Sequence, residues 1–338
     1  MIGRLADRLL DAPRTAPDEE HIKPELDALG GEVVRLRARD GVGLTGRWLP
    51  AERGDVAGDV GQPWQPDPYE AILLLHGWTG SVAPDLVDLG PTLRRTAGVL
   101  GLDFRGHGGS DDAWTTFGLR EVEDVAGALD WLGERGIRRV AIVGSSMGGV
   151  VAIAAVAVLG DGTLPQADLD PSAPAATIGA SRPILVAVVA ESVAPDLRIP
   201  IANRIGLPLG GLLRRALAGR MFAAASRRVG GDIRATEAGR LVALVEPVPL
   251  LLIHGEADRT VRPRDGRRLA ELAGPSSVHW LVPGAEHGRA RSAAPAQWDE
   301  RVARFLRSAF SGAREVVPII HTPGEPNHAP ASSATEGD

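Results

Sequence analysis

Arg139-Val140-Ala141-Ile142-Val143, then Gly144-Ser145-Ser146-Met147-Gly148, then the small-apolar run from Val150 to Leu159 together decide the fold. They read as a buried strand, a tight turn and a buried helix, with a serine on the turn. The turn has the form G-x-S-x-G. A sharp strand-to-helix reversal strains the backbone of its central residue. It also brings the two elements too close for side chains, which is the steric work of Gly144 and Gly148. Ser146 then projects its hydroxyl clear of the sheet edge. It sits at a helix N-terminus, where the dipole favours a developing negative charge. In a chain with 42 glycines the five-residue pattern alone is weak; the strand before it and the helix after it give it weight.

Outward from this unit, strands and helices alternate. Ala71 to Leu75 is continuously apolar, as in a strand buried on both faces. Glu32 to Leu36 and Leu44 to Leu49 flank Asp40-Gly41, a hairpin turn. Residues 51–69 are rich in Gly, Pro and Asp and read as a loop. Pro84 to Thr96 reads as a helix and Gly98 to Leu102 as a short strand. Leu119 to Leu132 carries Val122, Val125, Leu129 and Leu132 at helical spacing. Pro183 to Ala190, Val248 to Ile253 and Val278 to Val282 are further strands; Arg264 to Ala273 and Ala296 to Phe310 are further helices. The class is therefore α/β, a mostly parallel, doubly wound sheet with helices on both faces. Residues 1–30 form an N-terminal extension, 31–191 and 246–312 the core, 192–245 a small helical cap and 313–338 a disordered tail. Residues 160–181 are a polar insertion within the core.

Composition narrows the function. A chain of 338 residues, 44% hydrophobic, supports one large core. Net charge is -6 and no basic stretch is interleaved with aromatics, so nucleic acid is not an expected partner. The absence of cysteine excludes disulfides, thiolate metal sites and a cysteine nucleophile. No H-E-x-x-H occurs, and no G-x-G-x-x-G follows the first strand of a βαβ unit, so neither metal nor cofactor is expected. Arg4, Asp7, Arg8 and Asp11 break the first residues, which lack the apolar core of a signal peptide. The longest apolar run falls short of the roughly 20 residues that span a bilayer. A cytoplasmic protein without stable membrane insertion, acting on a small molecule, is the expectation.

A serine nucleophile needs an adjacent base, itself oriented by a third group. In a doubly wound sheet these belong on loops at the carboxyl ends of strands. His254-Gly255-Glu256-Ala257-Asp258 follows Leu250 to Ile253, and Pro283-Gly284-Ala285-Glu286-His287-Gly288 follows Trp280 to Val282. Ser146, Asp258 and His287 thus stand in the chain order Ser…Asp…His, that of an α/β-hydrolase. Glu191, at the end of the Pro183 to Ala190 strand, is the competing acid. Ser145, His76, His107 and His254 are read as structural neighbours, with His107 bonding the loop after its strand. Asp103 and Arg105 read as a turn-bracing pair, and Glu121 and Asp124 as solvated or capping groups. Ile199-Pro200-Ile201, Ile205 to Leu209 and Leu212-Leu213 either line an apolar pocket or pack the cap onto the core. Arg214, Arg215, Arg220, Arg227 and Arg228 read as a solvated face.

Over roughly residues 32–310 the chain resembles the serine-triad α/β-hydrolases. It is similar to the branch holding serine aminopeptidase-like hydrolases, monoacylglycerol lipase-like esterases and Bem46-like proteins. The resemblance rests on an ordered set: His76-Gly77-Trp78-Thr79-Gly80, Asp103-Phe104-Arg105-Gly106-His107-Gly108, the serine turn, His254-Gly255-Glu256-Ala257-Asp258, and Gly284 to Gly288. It implies a serine hydrolase cleaving carboxylic esters of small to medium acyl chain through an acyl-enzyme. Ser146 would be nucleophile, His287 base and Asp258 the orienting acid, the last by the His-Gly-x-x-Asp pattern. The backbone N–H groups of Met147 and Trp78 would form the oxyanion hole. A thioesterase or an aminopeptidase or amidase would use the same groups, and a non-catalytic binding protein of this fold is the reading from another class.

Overall fold

The structure, a computed structural model, describes residues 2–14, 19–52, 64–78, 80–159, 182–206, 208, 210–275 and 277–312. The insertion expected at 160–181, the tail expected at 313–338, most of the expected 51–69 loop, and Thr79, Leu207 and Leu209 lie outside these residues.

Among the described residues eight strands form one sheet. They are β1 (Glu32–Arg37), β2 (Gly43–Leu49), β3 (Glu70–Leu75), β4 (Gly98–Asp103), β5 (Arg139–Ser145), β6 (Ile184–Glu191), β7 (Leu250–Gly255) and β8 (Ser277–Val282). Their order is β1-β2-β4-β3-β5-β6-β7-β8. The β1–β2 hairpin turns at Asp40-Gly41, and β2 runs antiparallel to β4. Every pair from β4 to β8 is parallel.

Helices cover both faces. In chain order they are α1 (Ile2–Leu10), α2 (Glu19–Ala28), α3 (Ala83–Leu93), α4 (Glu121–Glu134), α5 (Met147–Leu159), α6 (Arg198–Arg204), α7 (Gly211–Val229), α8 (Ala238–Leu241), α9 (Pro263–Leu272), α10 (Ala290–Ala293) and α11 (Pro295–Ser311). Ala71, Leu73 and Leu75 of β3 pack into the core shared with α4 and α5. Ile72 and Leu74 point the other way, into a core with Leu86 of α3 and Trp298 and Leu306 of α11. Period-two alternation onto two apolar layers is why this strand reads as an unbroken hydrophobic run. α5 is buried on all sides except at Leu159, which explains its lack of a polar face. Helix α3 stops at Leu93, short of the expected Thr96, because Arg95 and Thr96 close a tight turn onto Thr92 and Leu93.

The stretch between β6 and β7 holds α6, α7, α8 and two short 3-10 turns, Ile233–Thr236 and Val242–Val245. The first helix of the expected N-terminal extension packs on it. Ala6, Leu9 and Leu10 of α1 are buried, α1 lies along α7, and Asp7 pairs with Arg228. Among the described residues no helix is long and apolar enough to cross a membrane.

Two expectations about charged side chains are corrected. Asp103 and Arg105 do not brace a turn as a pair. Asp103 accepts from the Val82 and Gly109 N–H groups, while Arg105 is buried between Asp40 and Asp124, 2.6 and 2.7 Å away. Asp124 is therefore no solvated helix residue; it is fully buried and also accepts from the Arg105 N–H. Glu121 is buried too, and does act as a cap: it accepts from the Thr116 and Gly118 N–H groups and the Thr116 hydroxyl. Removing one partner of a buried charged network leaves the others uncompensated. Arg105→Leu is therefore expected to cost about 3 kcal/mol or more of stability, read as a lowered urea midpoint. An unchanged midpoint would show the network to be structurally dispensable.

Candidate active site

Strand register delivers the site. Leu75 of β3 lies opposite Gly144 of β5, so the His76-Gly77-Trp78 loop leaves the sheet beside the serine turn. A methyl placed on Gly77 would lie 3.8 Å from Ser146 Cβ. Gly255 of β7 lies opposite Val282 of β8, which sets the Asp258 and His287 loops side by side.

The serine turn is strained as its sequence predicts. Ser146 has φ 52°, in the left-handed region that β-carbon-bearing residues avoid. A β-carbon on Gly148 would sit 2.3 Å from the Leu75 carbonyl oxygen, and one on Gly144 2.5 Å from the Gly148 carbonyl. Both obstacles are backbone, so neither can swing aside. Gly148→Ala is expected to destabilise the fold by about 3 kcal/mol, seen as a lowered thermal midpoint.

The three residues expected to act together are together. The Ser146 hydroxyl donates to His287 Nε2 at 2.9 Å, and His287 Nδ1 donates to Asp258 Oδ2 at 2.8 Å. Asp258 Oδ1 accepts from the Thr260 and Val261 N–H groups, both at 2.8 Å. Burial works against the Asp258 charge, but His287 and the Val261 N–H outweigh it and hold the carboxyl below its usual pKa. An ionised, fixed acceptor keeps the proton of the imidazole on Nδ1 and leaves Nε2 open to the hydroxyl.

The competing acid lies elsewhere. Glu191 accepts from the Ala290 N–H at 2.9 Å, and its backbone carbonyl accepts from the Ser146 N–H at 2.8 Å. It shares a small cavity behind the turn with Asp85 and Ser145. Burial raises both carboxyls to about 7, from ordinary values of 3.8 for Asp85 and 4.5 for Glu191, and charges on the neighbouring acids add to it. The folded chain thus keeps two protons that the unfolded chain has lost. Stability is complete below the unfolded values and falls as pH rises from about 4.5 to 7. Asp85→Asn with Glu191→Gln is expected to flatten this dependence, by on the order of 5 kcal/mol between pH 5 and pH 8 in urea melts. A double variant with the wild-type slope would refute the assignment.

The rival histidines brace loops. His76 accepts from the Phe104 N–H and donates from Nδ1 to the Gly77 carbonyl; burial, then His107, pull it down to about 3. His254 donates to the Val261 carbonyl. His107 Nε2 lies 2.7 Å from the Trp78 carbonyl, and its Nδ1 lies 3.0 Å from that of Arg105. The buried Arg105 network thereby reaches the Trp78 peptide. The same loop is tied to the N-terminal segment, which sequence reasoning left without a role. Trp78 Nε1 donates to the Leu9 carbonyl and Gly80 N–H to Pro13, while in the loop after β4 the Gly108 N–H donates to Arg14.

The Trp78 N–H has no acceptor among the described residues, and Met147 opens α5, where a helix leaves its N–H groups without intrahelical acceptors. Both residues line a pocket with Ser146. Its walls include Phe117, Leu197, Pro200, Ile201 and Val261, and the cavity is narrow, about 30 Å³. Pro200 and Ile201 therefore line the pocket, whereas Ile199 packs with Ala194 and Val261, and Leu212 and Leu213 are exposed. Phe117, Leu197 and Val261 carried no sequence signal; they reach the pocket from three separate loops. Among the described residues no group of three or more His, Asp or Glu is placed to hold a metal ion.

A sheet of this order with a serine turn after its fifth strand is the architecture of the α/β-hydrolases, and the family model described as "Alpha/beta hydrolase family" matches residues 72–305. The chain belongs to that family. The uncharacterized protein YfhR of Escherichia coli O157:H7 is 25% identical over 299 residues, covering 87% of this chain and 86% of its own. The Pyrococcus furiosus esterase Pf2001 shares 21% identity over 89% of this chain and 98% of its own, with a TM-score of 0.59. An alpha-beta hydrolase from Vibrio vulnificus shares 17% over 89% and 92%, also at 0.59.

Proposed function

We propose that the protein is a serine esterase acting through Ser146, His287 and Asp258. The observation that carries this reading is the hydrogen-bonded line Asp258–His287–Ser146 opening into a pocket with unclaimed N–H donors. Ser146 Oγ attacks the ester carbonyl carbon while its proton passes to His287 Nε2. The carbonyl oxygen becomes an oxyanion held by the Trp78 and Met147 N–H groups. Collapse expels the alcohol, which takes the proton from His287, and Ser146 is left acylated. Water, deprotonated by His287, attacks the acyl group and releases the acid. Asp258 stays ionised throughout and stabilises the imidazolium.

The cap reading of residues 192–245 belongs to this proposal, because Leu197, Pro200 and Ile201 roof the pocket. A cavity of about 30 Å³ holds a water molecule or so, hence small acyl groups are the expected substrates unless α6 shifts. The test is labelling with a fluorophosphonate probe, followed by turnover of p-nitrophenyl acetate and butyrate, a thioester and a peptide amide. Labelling of the wild type but not of Ser146→Ala or His287→Ala is expected, with the esters turned over fastest. A folded wild type that resists the probe would refute the reading.

A further inference from the structure

Arg204 is the charged side chain in the wall of the Ser146 pocket. It stands on the last turn of α6, whose position is fixed by Asn203: its side-chain amide donates to the Thr260 carbonyl at 2.9 Å, in the loop that carries Asp258. Among the described residues Arg204 has no hydrogen bond or ion pair. Its neighbours differ: Arg198 on the same helix pairs with Asp196, and Arg234 with Glu237. The acid whose charge reaches Arg204 is Asp258. Both Asp258 oxygens are already taken, by Thr260, Val261 and His287. The rim of the pocket thus carries an exposed cation that no carboxylate pairs with among the described residues.

We propose that Arg204 selects esters whose acyl chain ends in a carboxylate, the monoesters of short dicarboxylic acids. This rests on the esterase reading above. A planar guanidinium presents parallel N–H donors that match a carboxylate in bidentate fashion. The other walls are apolar, and because the cavity holds only about a water molecule, the distal carboxylate would lie at the rim, where Arg204 is exposed. The reacting carbonyl sits at Ser146 and the distal carboxylate at Arg204, so the chain length that spans them is the preferred one.

The experiment compares monoethyl succinate, glutarate and adipate with ethyl pentanoate, hexanoate and heptanoate, neutral esters of matched length. Wild type, Arg204→Gln, Arg204→Lys and Arg204→Glu are assayed for kcat/KM on each pair. For at least one pair the wild type is expected to prefer the anionic ester. In Arg204→Gln the anionic-to-neutral ratio is expected to fall about tenfold or more, with partial retention in Arg204→Lys and a further fall in Arg204→Glu. Added salt should lower the wild-type ratio. Equal ratios in wild type and Arg204→Gln would overturn the proposal while leaving the esterase reading intact. A wild type that hydrolyses neither ester would overturn the esterase reading instead. Arg204 is then judged by binding: Ser146→Ala titrated with monoethyl glutarate, followed by tryptophan fluorescence. Affinity unchanged by adding Arg204→Gln would overturn the proposal there too.

Discussion

Ser146→Ala is expected to lower kcat on p-nitrophenyl acetate by about a million-fold, without moving the thermal melt. The size follows from the geometry. His287 Nε2 has the serine hydroxyl as its partner, so deleting the oxygen removes nucleophile and proton donor in one step. The Trp78 and Met147 N–H groups remain, and about 10³-fold acceleration over water should persist from the proposed oxyanion hole and binding alone. The melt stays put because the side-chain bond lost is this one, and alanine meets the same left-handed backbone demand as serine. Release of p-nitrophenolate, with active-site titration to exclude trace wild type, measures the loss. Activity within tenfold of wild type would move the nucleophile elsewhere.

Asp258→Asn carries the second largest effect, a loss of about 10⁴ in kcat. The carboxylate accepts three N–H groups: two from the Thr260 and Val261 backbone and one from His287. An amide that keeps the backbone bonds with its oxygen must turn its NH₂ toward His287. The imidazole then carries its proton on Nε2 and presents no acceptor to Ser146. Glu191→Gln supplies the contrast. Its side chain holds the Ala290 N–H and faces the cavity behind the turn, so its loss should be roughly tenfold at most. The reverse order of effects, measured on one ester at one pH, would make Glu191 the acid.

The sheet and the meeting of Ser146, Asp258 and His287 were legible because each rests on a local signal. β3 shows as an unbroken apolar run, the turn as glycines flanking a serine, and the other two residues as polar groups just past apolar strands. What stayed hidden is long-range pairing. Arg105 finds Asp40 and Asp124, 65 and 19 residues away, and nothing in the neighbouring sequence marks those acids as its partners. The Asp103–Arg105 expectation failed for that reason: proximity in the chain stood in for proximity in space. Glu121 and Asp124 read as solvated or capping groups because charged residues on a helix are usually exposed. Here the polar loops before α4 turn inward and need acceptors. Arg204 is one arginine among many until α6 is laid over the pocket.

The seat of α1 sets an order on biosynthesis. Ile2–Leu10 leaves the ribosome ahead of the surfaces that hold it, the Trp78 loop, Thr115 and α7, the last of them complete only with Val229. For most of translation the apolar side of this helix has nowhere to dock. The helix thus docks only after α7 has emerged, and the Trp78 indole, which lines the pocket, gains its Leu9 partner when it does.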